Sequence, residues 1–164
     1  MTAEEVTDYL CCYYYSPFNN YRWLVVPNVS HGWHLPYEAD LIAVSKAGWA
    51  QEIEIKVSAS DLKADKKKAK HGNGPWPTKI DERIQRFWYA VPENLIAVAM
   101  DTTHVPAFAG VIAVKKDDFG HLHAVKIREA VKREGSRKVT DKERIRLMEL
   151  GMARYWSQRE RAKP

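Results

Sequence analysis

From Glu52 to Val57 the chain reads Glu-Ile-Glu-Ile-Lys-Val, with charged and aliphatic side chains alternating at every step. A period of two belongs to an extended strand, so the charges fall on one face and the aliphatics on the other. Upstream, Pro36-Tyr37-Glu38-Ala39-Asp40-Leu41-Ile42-Ala43-Val44 reads as a second strand, and Lys46-Ala47-Gly48 between the two has the chemistry of a hairpin turn. Laying the strands side by side brings Asp40 near Glu54 and Lys56. Two carboxylates that converge repel one another, and a hard divalent cation held by oxygen ligands resolves the repulsion. Glu38 and Glu52 share the strand faces of Asp40 and Glu54 by the same period and are expected to be exposed strand-end charges.

The 164 residues suffice for one domain with a core that needs no disulfide. The two cysteines, Cys11 and Cys12, are adjacent and cannot make a disulfide framework. Glu4, Glu5 and Asp8 stand where a secretory leader needs basic and then apolar residues, and the apolar runs are too short to span a bilayer. No membrane partner is expected, and a cytoplasmic location fits best. The net charge of +5 leans weakly towards a polyanionic partner.

Along the chain, Thr2 and Glu5 have capping-box spacing, and Val6, Tyr9, Leu10 and Tyr13 recur at helical intervals, which predicts a helix over residues 3–14. Residues 21–26 predict a strand ending at Pro27. Ser58-Ala59-Ser60-Asp61 caps a helix over residues 62–70 on which Lys63, Lys66, Lys67 and Lys70 share one face. Residues 71–77, with His71 and Trp76, make a loop. Thr78 then caps a helix carrying Ile80, Ile84 and Phe87 or Trp88 that stops before Pro92. Residues 95–100 and 109–114 read as buried strands and residues 121–127 as a further one. Thr140 caps a long helix to about residue 160, through Ile145, Leu147, Met148 and Leu150, expected to pack on the core. The order predicts a single α/β domain over residues 1–164, with helices on the faces of one mixed sheet.

Asp40, a turn, then Glu54-Ile55-Lys56 on the neighbouring strand resembles the active site of the PD-(D/E)xK nuclease superfamily, with Ala39 where the motif has proline. The order of helix, strand, Asp40 hairpin, Glu-x-Lys strand and basic helix resembles that superfamily's core over residues 3–100. More narrowly, Glu54-Ile55-Lys56-Val57-Ser58, then Asp61 and Asp65, then Arg86-Phe87-Trp88-Tyr89-Ala90-Val91-Pro92 is similar to small bacterial and phage DNA-repair or Holliday-junction-resolvase-like nucleases.

The resemblance implies a restriction-endonuclease-like three-layer sandwich, a central mixed β-sheet flanked by helices, acting on DNA. It implies Mg²⁺ or Mn²⁺ held by Asp40, Glu54 and the backbone carbonyl of Ile55, with Lys56 beside the attacking water and the phosphate. An added acidic ligand from the first helix would be Glu5 or Glu4, and the face of Lys63, Lys66, Lys67 and Lys70 would meet phosphates. Such nucleases often act as homodimers, and the pattern is compatible with one. A non-catalytic nucleic-acid-binding protein on the same fold and an RNA endonuclease are the competing classes.

Overall fold

The computed structural model describes residues 1–15, 23–65 and 80–161. In chain order its elements are helix α1 (Ala3–Tyr15), strands β1 (Leu24–Val29), β2 (Ala39–Val44) and β3 (Ala50–Ile55), helix α2 (Ala59–Asp65), strand β4 (Ile84–Pro92), helix α3 (Ile96–Met100), strands β5 (Gly110–Lys116) and β6 (Leu122–Arg128), and helix α4 (Asp141–Arg161). The strands form one six-stranded sheet in the order β1-β2-β3-β4-β5-β6. β3–β4 and β4–β5 are parallel and the other pairs antiparallel, so the sheet is mixed.

Each parallel pair needs a crossover, and α2 and α3 lie in the two crossovers. They share one face of the sheet with α4: Leu62, Ala99 and Leu147 pack with Ile42, Val44, Phe87, Tyr89 and Val111. α1 covers the other face, where Val6, Leu10 and Tyr14 pack on Leu41, Ala43, Ile53, Trp88 and Ile112. This is a three-layer α/β sandwich with a core on each side of the sheet. Each fully buried Leu or Ile in it contributes about 1.5–3 kcal/mol.

The predicted first helix forms with its box: the Thr2 amide donates to Glu5 Oε2 at 2.6 Å, and the Glu5 amide to Thr2 Oγ1 at 3.1 Å. The hairpin forms too, with Gly48 at φ 87° and its amide donating to the Ser45 carbonyl at 3.0 Å. β1 runs through Pro27 instead of ending there, which an edge strand tolerates because it has a ladder on one side only.

Two predicted elements turn out to be of the other type. Residues 84–92 are not helical but form β4, the longest strand, buried on both faces. A strand covered on both sides carries no alternation, and the helical spacing of Ile80, Ile84 and Phe87 is coincidental. Residues 95–100 are not a strand: a 3-10 turn (Glu93–Leu95) leads into α3. The chain leaves β4 there and must cross over before it can pair as β5. The remainder of the basic helix, with Lys66, Lys67 and Lys70, and the loop with His71 and Trp76 lie outside the described residues.

One ionic cluster ties α4 to the sheet layer. Arg83, 4% exposed, stacks at 3.8 Å on the Trp33 ring, grips Asp81 Oδ1 and Oδ2 at 2.6 and 2.7 Å, and reaches Glu143 Oε1 at 3.3 Å. Trp33 Nε1 donates to the Glu143 carbonyl at 2.9 Å, and Arg137 clasps the Glu143 carboxylate at 2.7 and 2.9 Å. The Arg137 guanidinium holds the Glu143 carboxyl down from 4.5 to about 2. A depressed carboxyl contributes stability above its unfolded value and loses it as pH falls through the folded one. Glu143→Gln should therefore lower Tm at neutral pH and flatten the fall in Tm between pH 4.5 and about 2, measured by thermal melts across that window. An unchanged slope refutes the assignment.

Gly110 lies opposite Trp88 in the β4–β5 ladder, and a Cβ there would stand 2.1 Å from Trp88 Cε3 and 2.8 Å from the Ala130 amide nitrogen. Gly110→Ala should destabilise by about 1–3 kcal/mol through overpacking. Urea titration should show a lower midpoint at unchanged slope.

Candidate functional site

The β2–β3 ladder sets Leu41 opposite Ile53, and one further step sets Asp40 opposite Glu54. Asp40 and Glu54 share the face of Ile42 and Ala50, the one covered by α2, α3 and α4. Asp40 Oδ2 accepts the Ile55 amide at 2.7 Å, which ties the carboxylate to the backbone of β3. Lys56 continues the parallel ladder, its amide donating to the Ala90 carbonyl at 3.0 Å. Its Nζ donates to Glu54 Oε1 at 2.6 Å and stands 3.9 Å from Asp61 Oδ2 in the first turn of α2. Ser58 caps that turn, with Oγ accepting the Asp61 amide at 3.2 Å.

The structure thus brings Asp40, Glu54 and Lys56 together at the carboxyl end of β3. A solvated cross-strand ion pair would be exposed, whereas Glu54 is 2% and Lys56 4% exposed. A buried ion pair stabilises little or nothing relative to apolar residues of the same volume, because desolvation opposes the Coulombic gain. The Ile55 side chain packs with the α1 core, so its main chain is the part that can face the carboxylates.

Glu52 overturns its expectation. It is fully buried, and Tyr37 Oη donates to its Oε2 at 2.7 Å. β3 lies inside the sheet with both faces covered, so the strand face of Glu54 points into a core, not into solvent. Burial pushes the Tyr37 hydroxyl pKa up, and the Glu52 charge pushes it further the same way, so the phenol stays a donor. The sequence marks Glu52 only as an expected exposed strand-end charge and does not mark Tyr37 as its partner. The alternation places Glu52 on the face of Glu54 but carries no signal that this face is covered.

Glu5 is not brought to the pair. It sits on α1, which covers the opposite face, and its carboxylate is occupied in the capping box, whose Thr2 amide hydrogen bond holds its pKa below 4.5. Glu4 lies in the same first turn. Lys63 is exposed on α2, while Lys66, Lys67 and Lys70 lie outside the described residues.

Among the described residues, no group of three or more His, Cys, Asp or Glu side chains gathers to hold a metal ion. Asp40, Glu54 and the Ile55 carbonyl are a different kind of donor set: two carboxylates and a main-chain oxygen. That suits Mg²⁺, which keeps several waters and takes one or two carboxylates plus substrate phosphate. Also among the described residues, no helix is long and apolar enough to cross a membrane.

No family model matches the chain, and no curated protein matches it. Among solved structures, the SPO1766 protein of unknown function from Silicibacter pomeroyi is similar in fold, with a TM-score of 0.58 at 18% identity over 99% of this chain and 91% of that one. The likeness is one of fold alone.

Tyr37→Phe removes a donor from a fully buried carboxylate and should destabilise the fold by about 1–3 kcal/mol. Urea denaturation reads the loss, and an unchanged midpoint would show that the bond contributes nothing.

Proposed function

We propose that this chain is a divalent-metal-dependent nuclease of restriction-endonuclease-like fold that hydrolyses DNA phosphodiester bonds in repair, recombination or phage DNA processing. The observation that carries the reading is the Asp40–Glu54 juxtaposition with Lys56 Nζ 2.6 Å from Glu54 Oε1. Phosphodiester hydrolysis requires charge neutralisation at the phosphate, an activated water and stabilisation of the departing oxygen.

Asp40, Glu54 and the Ile55 carbonyl would hold Mg²⁺ or Mn²⁺, which supplies Lewis acidity towards the phosphate and a more acidic bound water. Asp40 is oriented for this by the Ile55 amide, so its carboxylate is fixed before substrate arrives. Glu54 positions Lys56, whose ammonium lowers the energy of negative charge developing on the phosphate and orients the attacking water. Asp61, 3.9 Å away, supports the same ammonium from α2. Glu52 and Tyr37 keep the strand beneath the pair in place. Lys63 and the basic run after it would meet the phosphates of the flanking backbone.

The test is cleavage of labelled linear duplex, single strand, flap, four-way junction and RNA with Mg²⁺, Mn²⁺ or EDTA, beside Mn²⁺ titration calorimetry. Metal-dependent DNA cleavage is expected, reduced at least about a hundredfold in Lys56→Ala. Asp40→Asn should lose both cleavage and Mn²⁺ binding while keeping DNA affinity. DNA binding without cleavage under any metal would give the chain to the non-catalytic class, and cleavage confined to RNA would make it a ribonuclease.

A further inference from the structure

α4 packs against the body through Leu147, Leu150 and Gly151, where an added Cβ would stand only 3.2 Å from Val26. Its outer surface, otherwise charged, carries an apolar stripe. Ile145, Met148, Met152, Tyr155 and Trp156 are 58, 52, 55, 48 and 55% exposed. Their spacing of three, four, three and one residues lines them along a single stripe of the helix, about 16 Å long at 1.5 Å per residue. Scattered exposed apolar residues need no explanation, but a continuous stripe of five does. Tyr155 and Trp156 are held edge to face at 5.4 Å, and the Arg159 hydrogen bond to Tyr155 Oη at 3.0 Å fixes the end of the stripe.

The ends of the stripe carry opposite charges: Asp141 lies on its line before Ile145, and Arg159 lies on it after Tyr155. We propose that this stripe is the interface of a homodimer, in which α4 packs antiparallel against α4 of a second copy. Centred at the level of Leu150, that arrangement sets Ile145 against Tyr155 of the second copy, Met148 against its Met152, and Asp141 against its Arg159. A parallel arrangement would set Asp141 on Asp141 and Arg159 on Arg159, so charge selects the antiparallel one. The two Glu149 side chains approach near the axis, each already paired with its own Arg146 at 3.0 Å.

Covering the exposed half of five large side chains removes on the order of 100 Å² each, or about 1,000 Å² over both copies. That places it among the small interfaces of weak, reversible association. The proposal is independent of the nuclease reading, because none of the stripe residues belongs to the Asp40–Glu54–Lys56 cluster.

Sedimentation equilibrium of the full chain between about 1 and 200 µM decides it. The expected result is a reversible monomer–dimer equilibrium, weakened at least tenfold by Met152→Glu, an exposed position whose change leaves the circular dichroism and melt unaltered. Asp141→Arg and Arg159→Asp should each weaken the dimer, and the double variant should restore it. A monomer at every concentration overturns the proposal, as does a dimer insensitive to Met152→Glu. Failure of the double variant to recover overturns the antiparallel register. A monomer that instead sediments with vesicles containing anionic lipid assigns the stripe to a membrane surface, and the proposal falls.

Discussion

The register of the β2–β3 hairpin is the constraint on which both cores and the candidate site depend. Side chains alternate along a strand, so a slip of one residue would exchange the α1-facing set, Leu41, Ala43 and Ile53, with the set of Asp40, Ile42, Glu52 and Glu54. The hairpin is fastened at both ends. At the turn, the Val139 amide donates to the Gly48 carbonyl at 2.9 Å and Arg144 Nη2 to the Ser45 carbonyl at 3.2 Å. At the open end, the Ile55 amide is held by Asp40 Oδ2 at 2.7 Å. The residue proposed to bind metal also helps lock the register that places it.

The turn-end fastening ties the hairpin to the ionic cluster at the start of α4. Val139 and Arg144 flank Glu143, which joins Arg83 and Arg137, and Arg83 in turn reaches the Trp33 carbonyl at 2.9 Å. A guanidinium as buried as Arg83 loses its hydration, and it persists because Asp81, Glu143, the Trp33 carbonyl and the Trp33 ring face it from several sides. Removing one partner from such a network leaves charge buried, which is why the cluster fixes one arrangement of α4.

Much of this was legible in local chemistry. The Thr2–Glu5 box, the Gly48 turn, the Glu-Ile-Glu-Ile-Lys alternation and the Thr140 start of α4 are decided by neighbouring residues, and each formed as read. The misreadings come from the surroundings of each run, which neighbouring residues do not encode. β4 and Glu52 depend on what lies above and below the sheet, and a run buried on both faces has no periodic signature, whereas residues 95–100 are helical because the chain crosses over between two parallel strands there. Glu52 looked like its neighbour Glu54 because periodicity assigns a face without saying what covers it. The Arg83–Glu143 pairing joins residues 60 positions apart and had no local trace.

Burial changes how the Asp40, Glu54 and Lys56 constellation weighs as evidence. On an exposed sheet face, opposed charges follow ordinary surface statistics and contribute little either way. Here like charges stand directly opposite one another, an arrangement that weakens a sheet, and Glu54 and Lys56 are nearly excluded from solvent. Asp40 fastens the Ile55 amide, but the buried Glu54–Lys56 pair gives the fold little or nothing over aliphatic side chains of similar size, because desolvation offsets its Coulombic attraction. Under the proposed function the two carboxylates converge on a cation and the ammonium stands beside them. In the proposed hydrolysis, Asp40 and Glu54 would share the cation while Glu54 also positions Lys56 beside the phosphate, so the buried charges would each be used.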